Sequence, residues 1–583
     1  MTRLSSPVEQ MKSHYAVIVI GSGYGGAIAA SRLARVGRQV CVLERGKEFQ
    51  PGEYPDTAVN AVGEMQAHTP LGHIGARTGL YDFHLGSDIN AFVGCGLGGT
   101  SLVNANVSLR AEPRVFEDPR WPSPLRAHLT TLVEDGYRRA ENMLKPMPYP
   151  NDFPVLSKLT AHEKSAAAMG QPFSRPPINV TFADGVNQVG VEQRACVLCG
   201  DCVSGCNHRA KNTVLMNYLP DAWNHGAEFY TRVAVHHLER RNNRWVVHYQ
   251  LLHSGHEAFA SPTMVITADL VILSAGTLGS TEILLRSQAM GFSLSDTVGQ
   301  HFTGNGDVMG FGYNTEQIID GIGFGSRPPE GRDPVGPCIA GLIDLRLQPI
   351  LENGMVIEEG SIPGALAAFL PAALAAGAKL AERSSGKSSH IQRKVRELAS
   401  LIRGAYHGAV RRSQTYLVMT HDDGEGRMVL NGHDHVHIEW PGVGSQPIFQ
   451  QADERLREAT RALGGTYVPN PLWSEVMTHP LMTVHPLGGC IMAEDATRGV
   501  VNHKGQVFSG RTGTDVHDTL YVCDGSVIPR PLGVNPLLTI SALAERCLFL
   551  LASDRGWSLS YDFPPPMDST YVSHAIRAEK SDR

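Results

Sequence analysis

No stretch of this 583-residue chain is both long enough and apolar enough to be read as a membrane span. The segment Met1 to His14 has no apolar run of the secretory-leader kind, so the expected compartment is the cytoplasm. There is no internal repeat. There is no basic excess either; the formal net charge is −6, which argues against a nucleic-acid partner. Charged residues make up only 19% and apolar residues 42%, the balance of an ordinary folded protein. Cysteine is not scarce. In a cytoplasmic chain the 10 cysteines read as thiols or metal ligands rather than disulfides. The length exceeds one compact core, so two domains are expected, interleaved or sequential.

The apolar run Tyr15 to Ile20 reads as a buried parallel strand. It enters Gly21-Ser22-Gly23-Tyr24-Gly25-Gly26, in which Gly21, Gly23 and Gly26 have the G-x-G-x-x-G spacing. The first glycine permits a tight turn, the second lets phosphate approach the backbone, and the third lets helix and strand pack closely. A helix over Ala27 to Val36 offers its unpaired N–H groups and positive dipole end to a pyrophosphate. A second strand, Gln39 to Leu43, ends in Glu44, at the usual distance to accept ribose hydroxyls. These features predict a dinucleotide site without separating FAD from NAD. A second run of small residues, Gly94 to Asn104, lets backbone N–H groups approach a flat ring or phosphate oxygens. Far downstream lie His485-Pro486-Leu487-Gly488-Gly489-Cys490, Asp524-Gly525-Ser526 and Asn535-Pro536, which can bring a His, an Asp and an Asn to a redox ring.

With Val271 to Thr277, these segments run in the order of the glucose–methanol–choline (GMC) oxidoreductases, and the chain resembles the cholesterol-oxidase-like branch of that family. The resemblance implies an α/β fold, α+β overall. A Rossmann-like FAD-binding domain (14–110, 191–310 and 480–555) is interleaved with a substrate domain (111–190 and 311–479) built on an antiparallel sheet. Residues 1–13 and 556–583 are tails. It implies that Gly21, Gly23, Gly26 and Glu44 hold the ADP half of FAD, and that Val233 meets the adenine by its backbone. Gly98, Gly99 and Asn104 would line the flavin. Asp524, Gly525 and the helix start Asn535-Pro536-Leu537 would meet its far end.

His485 and Asn535 are the pair expected to carry chemistry. Alcohol oxidation removes a hydride from carbon and a proton from oxygen; the proton needs a group such as His, the hydride a flavin held close. Many relatives carry a second His where Asn535 stands. Sterol oxidases carry an acid that moves a ring proton, and Glu359 in Met355 to Pro363 is the expected counterpart, with Glu358 the alternative. A carboxyl facing an apolar cavity would have a raised pKa and serve as a base.

Cys196, Cys199, Cys202 and Cys206 have the C-x-x-C-x-x-C-x-x-x-C spacing of a ferredoxin-type run. A [4Fe–4S] or [3Fe–4S] cluster is expected, with zinc or plain buried thiols as the other readings. Asn207 replaces the Pro that usually follows the last Cys. A cluster would drain electrons singly from the flavin to a partner, making the enzyme a dehydrogenase.

Residues 362–378 are nearly all apolar, and the segment 383–412 that follows holds eight Lys or Arg against Glu397 alone. Ile391, Val395, Leu398 and Ile402 share one helical face. The region 362–412 is expected to be a lid over a greasy pocket, with peripheral contact to a membrane as the alternative. The strands Thr415 to Thr420 and Val436 to Trp440 are expected to join a sheet under the flavin. The expected substrate is a bulky apolar alcohol, a sterol or terpenoid, and the expected acceptor a protein, a quinone or O2. The alternatives are an O2-using sterol oxidase with isomerase activity, and a flavin/iron–sulfur sensor without turnover.

Overall fold

The computed structural model describes residues 3–252, 263–325, 333–385, 391–470 and 481–563. Parts of the expected domain stretches and tails, including 480 and 564–583, and residues 386–390 of the basic segment lie outside the described residues.

The first strand, His14–Ile20, is buried along most of its length and pairs in parallel with two neighbours. On one side is Val40–Leu43, followed by Glu228–Tyr230. On the other is Met264–Leu273, which forks. Its second half pairs in parallel with Val516–Val522, while its first half pairs antiparallel with Arg244–Leu251, itself joined to Val233–Arg241. Strands buried on both faces need apolar residues throughout rather than alternation, and Val17 to Ile20 and Val40 to Leu43 supply them. The first helix, Tyr24–Arg35, begins three residues before the expected Ala27, because Gly23 already takes the N-cap position.

The second large sheet is antiparallel, with strand order Thr466–Pro469, Val308–Tyr313, Gln414–Met419, Val356–Gly360, Leu342–Asp344 and Phe173–Ser174. Gln414–Met419, one residue earlier than the expected Thr415 to Thr420, sits inside it. Val436–Glu439 does not. It pairs with Arg427–Leu430 in a separate two-stranded ribbon. The fold is thus a mixed α/β one, with a parallel Rossmann-like sheet and an antiparallel sheet. The apolar segment after Ser361 is not a plain loop. A 3-10 turn, Gly364–Phe369, leads into the helix Leu370–Ser385, whose Pro371 lies in the first turn, where its missing N–H costs no hydrogen bond.

Candidate active site

A cavity of about 720 Å³ runs from the glycine turn to the antiparallel sheet. At its head, Gly21 adopts φ +90°, and a side chain there would meet Ser274 O at 2.3 Å. A Cβ on Gly23 would meet nothing within 4 Å, because this residue faces the open cavity. Gly26 lies behind that surface, where a Cβ would come within 2.1 Å of Gly21 O. Gly25, which the G-x-G-x-x-G reading passes over, is tighter still; its Cβ would lie 1.4 Å from Cys523 O. The turn is therefore clamped between the strand ends at 274 and 523.

The second glycine segment packs onto the first. Gly98 N donates to Ser22 Oγ at 2.9 Å, and a Cβ on Gly99 would meet Gly23 Cα at 2.9 Å. Gly99 and Asn104 line the cavity, while Gly98 sits behind it. Asn104 Nδ2 donates to Tyr24 Oη at 2.8 Å, leaving its buried Oδ1 without a partner. Glu44 accepts from Ser22 N and Oγ and from Gly46 N, so it braces the turn as well as lining the cavity. Burial raises its pKa. Val233 lines the cavity, but its amide is committed to Glu44 O at 2.9 Å. The backbone contact expected for the adenine cannot come from that N–H.

Asp524 staples the far end. It accepts from Gly276 N and Ser280 Oγ through one oxygen and from Ser526 N and Oγ through the other. Gly525, Asn535, Pro536 and Leu537 line the cavity beside it, where the helix Leu537–Asp554 begins. An open glycine turn, a helix N-terminus, a buried orphan oxygen on Asn104 and a carboxylate at the end of the second strand together suit an extended dinucleotide.

His485 lies in the same cavity. Its Nδ1 is 2.8 Å from Asp307 Oδ1. The other Asp307 oxygen accepts from Thr483 Oγ1, Val484 N and His485 N at 2.9, 2.8 and 3.1 Å. This carboxylate fixes both the backbone and the ring of His485, leaving Nε2 for a substrate. Two residues earlier, Asn305 grips the other side of the site. Its Oδ1 accepts from Leu532 N and Gly533 N, and its Nδ2 donates to Val534 O at 2.9 Å. The single segment 303–307 therefore positions both His485 and the approach to Asn535. The sequence reading missed Asn305 and Asp307, since no spacing links them to residues so far downstream.

Asn535 is buried and donates through Nδ2 to Glu358 Oε2 at 3.2 Å; its Oδ1 has no partner. Burial pushes the Glu358 carboxyl up to about 8. Glu359, the residue expected to act as a base, points the other way. Neighbouring residues of the strand Val356–Gly360 face opposite sides of the sheet. Glu359 is held by Lys158 Nζ at 2.6 Å and Ala340 N at 2.8 Å, fully buried and outside the cavity lining. It is a locked ion-pair partner, and Glu358 is the acid that reaches Asn535.

The cysteine ladder gives the expected cluster no support. Cys196, Cys199, Cys202 and Cys206 are free thiols, and Cys196, Cys202 and Cys206 pack in an apolar cluster with Leu198, Val180, Phe182 and Ile339. Burial, together with the neighbouring thiols, raises the pKa of Cys196, Cys199 and Cys202. Among the described residues they do not bring three ligand atoms within reach of one ion, so zinc finds no site there. The iron–sulfur relay gains no support from the geometry or from the comparisons below. The ladder is instead tied to the second glycine segment. Lys211 Nζ donates to Leu102 O, Asn104 O and Cys202 O at 3.0, 2.7 and 3.0 Å.

Among the described residues, only His68, Asp82 and His84 bring three ligand atoms close together. Their imidazoles stack at 4.4 Å, and both are directed at Asp82 Oδ1, while Arg45 takes the other oxygen. Arg45 meets the charge of the carboxylate, while Asp82 Oδ1 and His68 Nε2 are left without a hydrogen-bond partner.

The GMC oxidoreductase family model matches residues 18–303 in its N-terminal part and 433–544 in its C-terminal part. A cholesterol oxidase of Mycobacterium tuberculosis (strain ATCC 25618 / H37Rv) is 26% identical over 93% of this chain and 91% of its own length. A cholesterol oxidase of Acinetobacter baumannii is 25% identical over 92% and 94%. A long-chain-alcohol oxidase of Arabidopsis thaliana is 23% identical over 90% of this chain and 66% of its own. Among solved structures, pyridoxine 4-oxidase from Mesorbium loti superposes with a TM-score of 0.58 at 15% identity, covering 92% of this chain and 99% of that one. The chain belongs to the GMC oxidoreductase family and is an FAD-dependent oxidoreductase acting on CH–OH donors.

Proposed function

We propose that this chain oxidises the CH–OH carbon of a bulky apolar alcohol, a sterol or a long-chain alcohol, with O2 as the terminal acceptor. The observation that carries the reading is the Asp307–His485 pair beside the apolar end of the cavity. Met309, Phe311, Ile339, Leu366 and Leu417 wall its substrate end. The substrate class and the acceptor follow the relatives named as cholesterol and long-chain-alcohol oxidases. This sets aside the dehydrogenase with an iron–sulfur drain.

FAD, when bound, supplies the hydride acceptor. Gly21, Gly23 and the N-terminus of the helix Tyr24–Arg35 would hold its pyrophosphate, with Glu44 at the ribose. Asn104, Asp524, Gly525, Pro536 and Leu537 would hold the flavin half. The FAD-binding part would be 14–110, 191–310 and 480–555, and the substrate part 111–190 and 311–479.

His485 Nε2 takes the proton of the substrate hydroxyl. Asp307 keeps Nδ1 protonated and offsets the positive charge that the ring gains. Asn535 orients the hydroxyl. Glu358 holds Asn535 through Nδ2 and, like Glu359, does not itself line the cavity.

The test is anaerobic addition of cholesterol and of a long-chain alcohol to the flavin-loaded enzyme, followed by air. Flavin bleaching by one of them, then about one peroxide per alcohol oxidised, supports the reading. Bleaching without peroxide would return the acceptor to a protein or quinone. No bleaching by either would end the substrate assignment.

A further inference from the structure

We infer that the helix Ile391–Arg403 docks on an anionic lipid bilayer and sets the mouth of the cavity against the lipid. The argument begins with a helix that is packed inside out. Its inward face is polar. Arg393 binds Gly464 O, Arg396 Nη1 donates to Thr315 O at 3.1 Å, and Ser400 Oγ donates to His407 O at 2.6 Å. Its outward face is apolar, with Ile391 81% exposed, Val395 61%, Leu398 56%, Leu401 49% and Ile402 73%. A helix in a water-soluble surface turns the other way, because each large side chain left in water forfeits its burial energy. A contiguous exposed stripe of this kind marks a contact surface.

The stripe has a second part. The helix Leu370–Ser385 packs beside it, with Lys379 Nζ at 3.9 Å from Glu397, and presents Leu380 to the outside. Phe369, just before that helix, is exposed yet also lines the cavity. Apolar surface therefore continues from the interior of the site to the outer face. The lid expectation divides at this point. Ile362, Pro363, Leu366, Phe369 and Leu370 wall the cavity, while the helix Ile391–Arg403 does not.

Charge selects the occupant. Lys379, Lys394 and Arg403 stand exposed around the stripe with Glu397 as the acid among them, while Arg393, Arg396, Arg411 and Arg412 are committed to protein partners. A basic rim around an apolar stripe fits anionic headgroups around acyl chains. No helix among the described residues is long and apolar enough to cross a membrane, so the contact is with the surface. That the bilayer delivers the alcohol rests on the proposed function; the docking itself does not.

The test is co-sedimentation of the flavin-loaded enzyme with vesicles of phosphatidylcholine, alone or mixed with phosphatidylglycerol, with no alcohol present. Binding to the mixed vesicles, weakened by salt, is expected. The triple variant Val395→Gln/Leu398→Gln/Ile402→Gln and the double variant Lys394→Glu/Arg403→Glu should each bind at least about tenfold more weakly. Both change exposed positions, and unchanged melting temperature and flavin content would show them folded. The inference is overturned if the wild type stays in the supernatant, or if folded variants bind like it. It is also overturned if light scattering shows a dimer that the triple variant splits while no vesicle binding is seen, for then a second copy covers the stripe.

Discussion

Asp307 meets the imidazole of His485 at 2.8 Å across 178 positions of sequence. The same carboxylate also binds the His485 amide, so ring and backbone are set by one group. Asp307→Asn would present an amide where an acceptor is needed, favouring the wrong tautomer of the ring. Turnover is expected to fall about 10²- to 10⁴-fold with KM little changed and flavin still bound. The readout is steady-state kinetics across pH. A loss below about fivefold would leave Asp307 a structural residue.

Glu358 makes stability depend on pH. The unfolded chain ionises it near the ordinary 4.5, while the folded chain holds its proton up to about 8. Between those values the native state binds more protons, so this group's contribution to stability falls as pH rises through the window. Its slope cannot exceed about 1.4 kcal/mol per pH unit. Melting temperatures of wild type and Glu358→Gln, measured from pH 5 to about 8, should diverge, with the variant less sensitive to rising pH. Parallel curves would refute a buried, protonated Glu358.

Glu359 and Lys158 form a fully buried ion pair at 2.6 Å. Removing one partner strands the other charge. Lys158→Met alone should cost about 3–5 kcal/mol by denaturant unfolding, and Lys158→Met/Glu359→Leu should recover much of it. Turnover per folded molecule should survive in the double variant. Loss of chemistry there, with the fold intact, would restore a catalytic role to Glu359.

Two glycines of the same turn, Gly23 and Gly25, separate folding from cofactor binding. Gly23→Ala finds no atom within 4 Å, so the protein should fold with little change in melting temperature. Its new methyl group projects into the cavity, and FAD affinity should drop at least about tenfold, by titration of the apoprotein. Gly25→Ala would put Cβ 1.4 Å from Cys523 O, so little folded protein is expected. Tight FAD binding by Gly23→Ala would place the pyrophosphate elsewhere.

The cysteine ladder should be dispensable for electron flow. Prolonged dialysis against a chelator is expected to leave peroxide-forming turnover intact, and the flavin-loaded enzyme should contain no iron or acid-labile sulfide. Stoichiometric iron with a broad visible absorption would revive the relay.

The two nucleotide-binding segments were legible because their signals are local. A buried strand, a glycine turn and a terminal acid lie within about thirty residues, the span of one βαβ unit. Asp307 carried no comparable mark. It is one acid among 57 Asp and Glu, and its role exists only where the strand Val308–Tyr313 brings its start to the loop before His485. The ladder shows the converse. Its spacing is a strong local pattern, yet three of its four thiols settle into an apolar cluster with Val180, Phe182 and Ile339, none of which the spacing can report.

By itself the sequence determined a dinucleotide site and the position of its glycine turn. These follow from short-range rules of backbone freedom and hydrophobic patterning. The tertiary structure alone decided that Glu358 rather than Glu359 reaches Asn535, because strand parity counts only once the sheet's faces are assigned. It likewise decided that the apolar face of Ile391–Arg403 looks outward, since a periodic stripe specifies which residues stand together but not what they stand against.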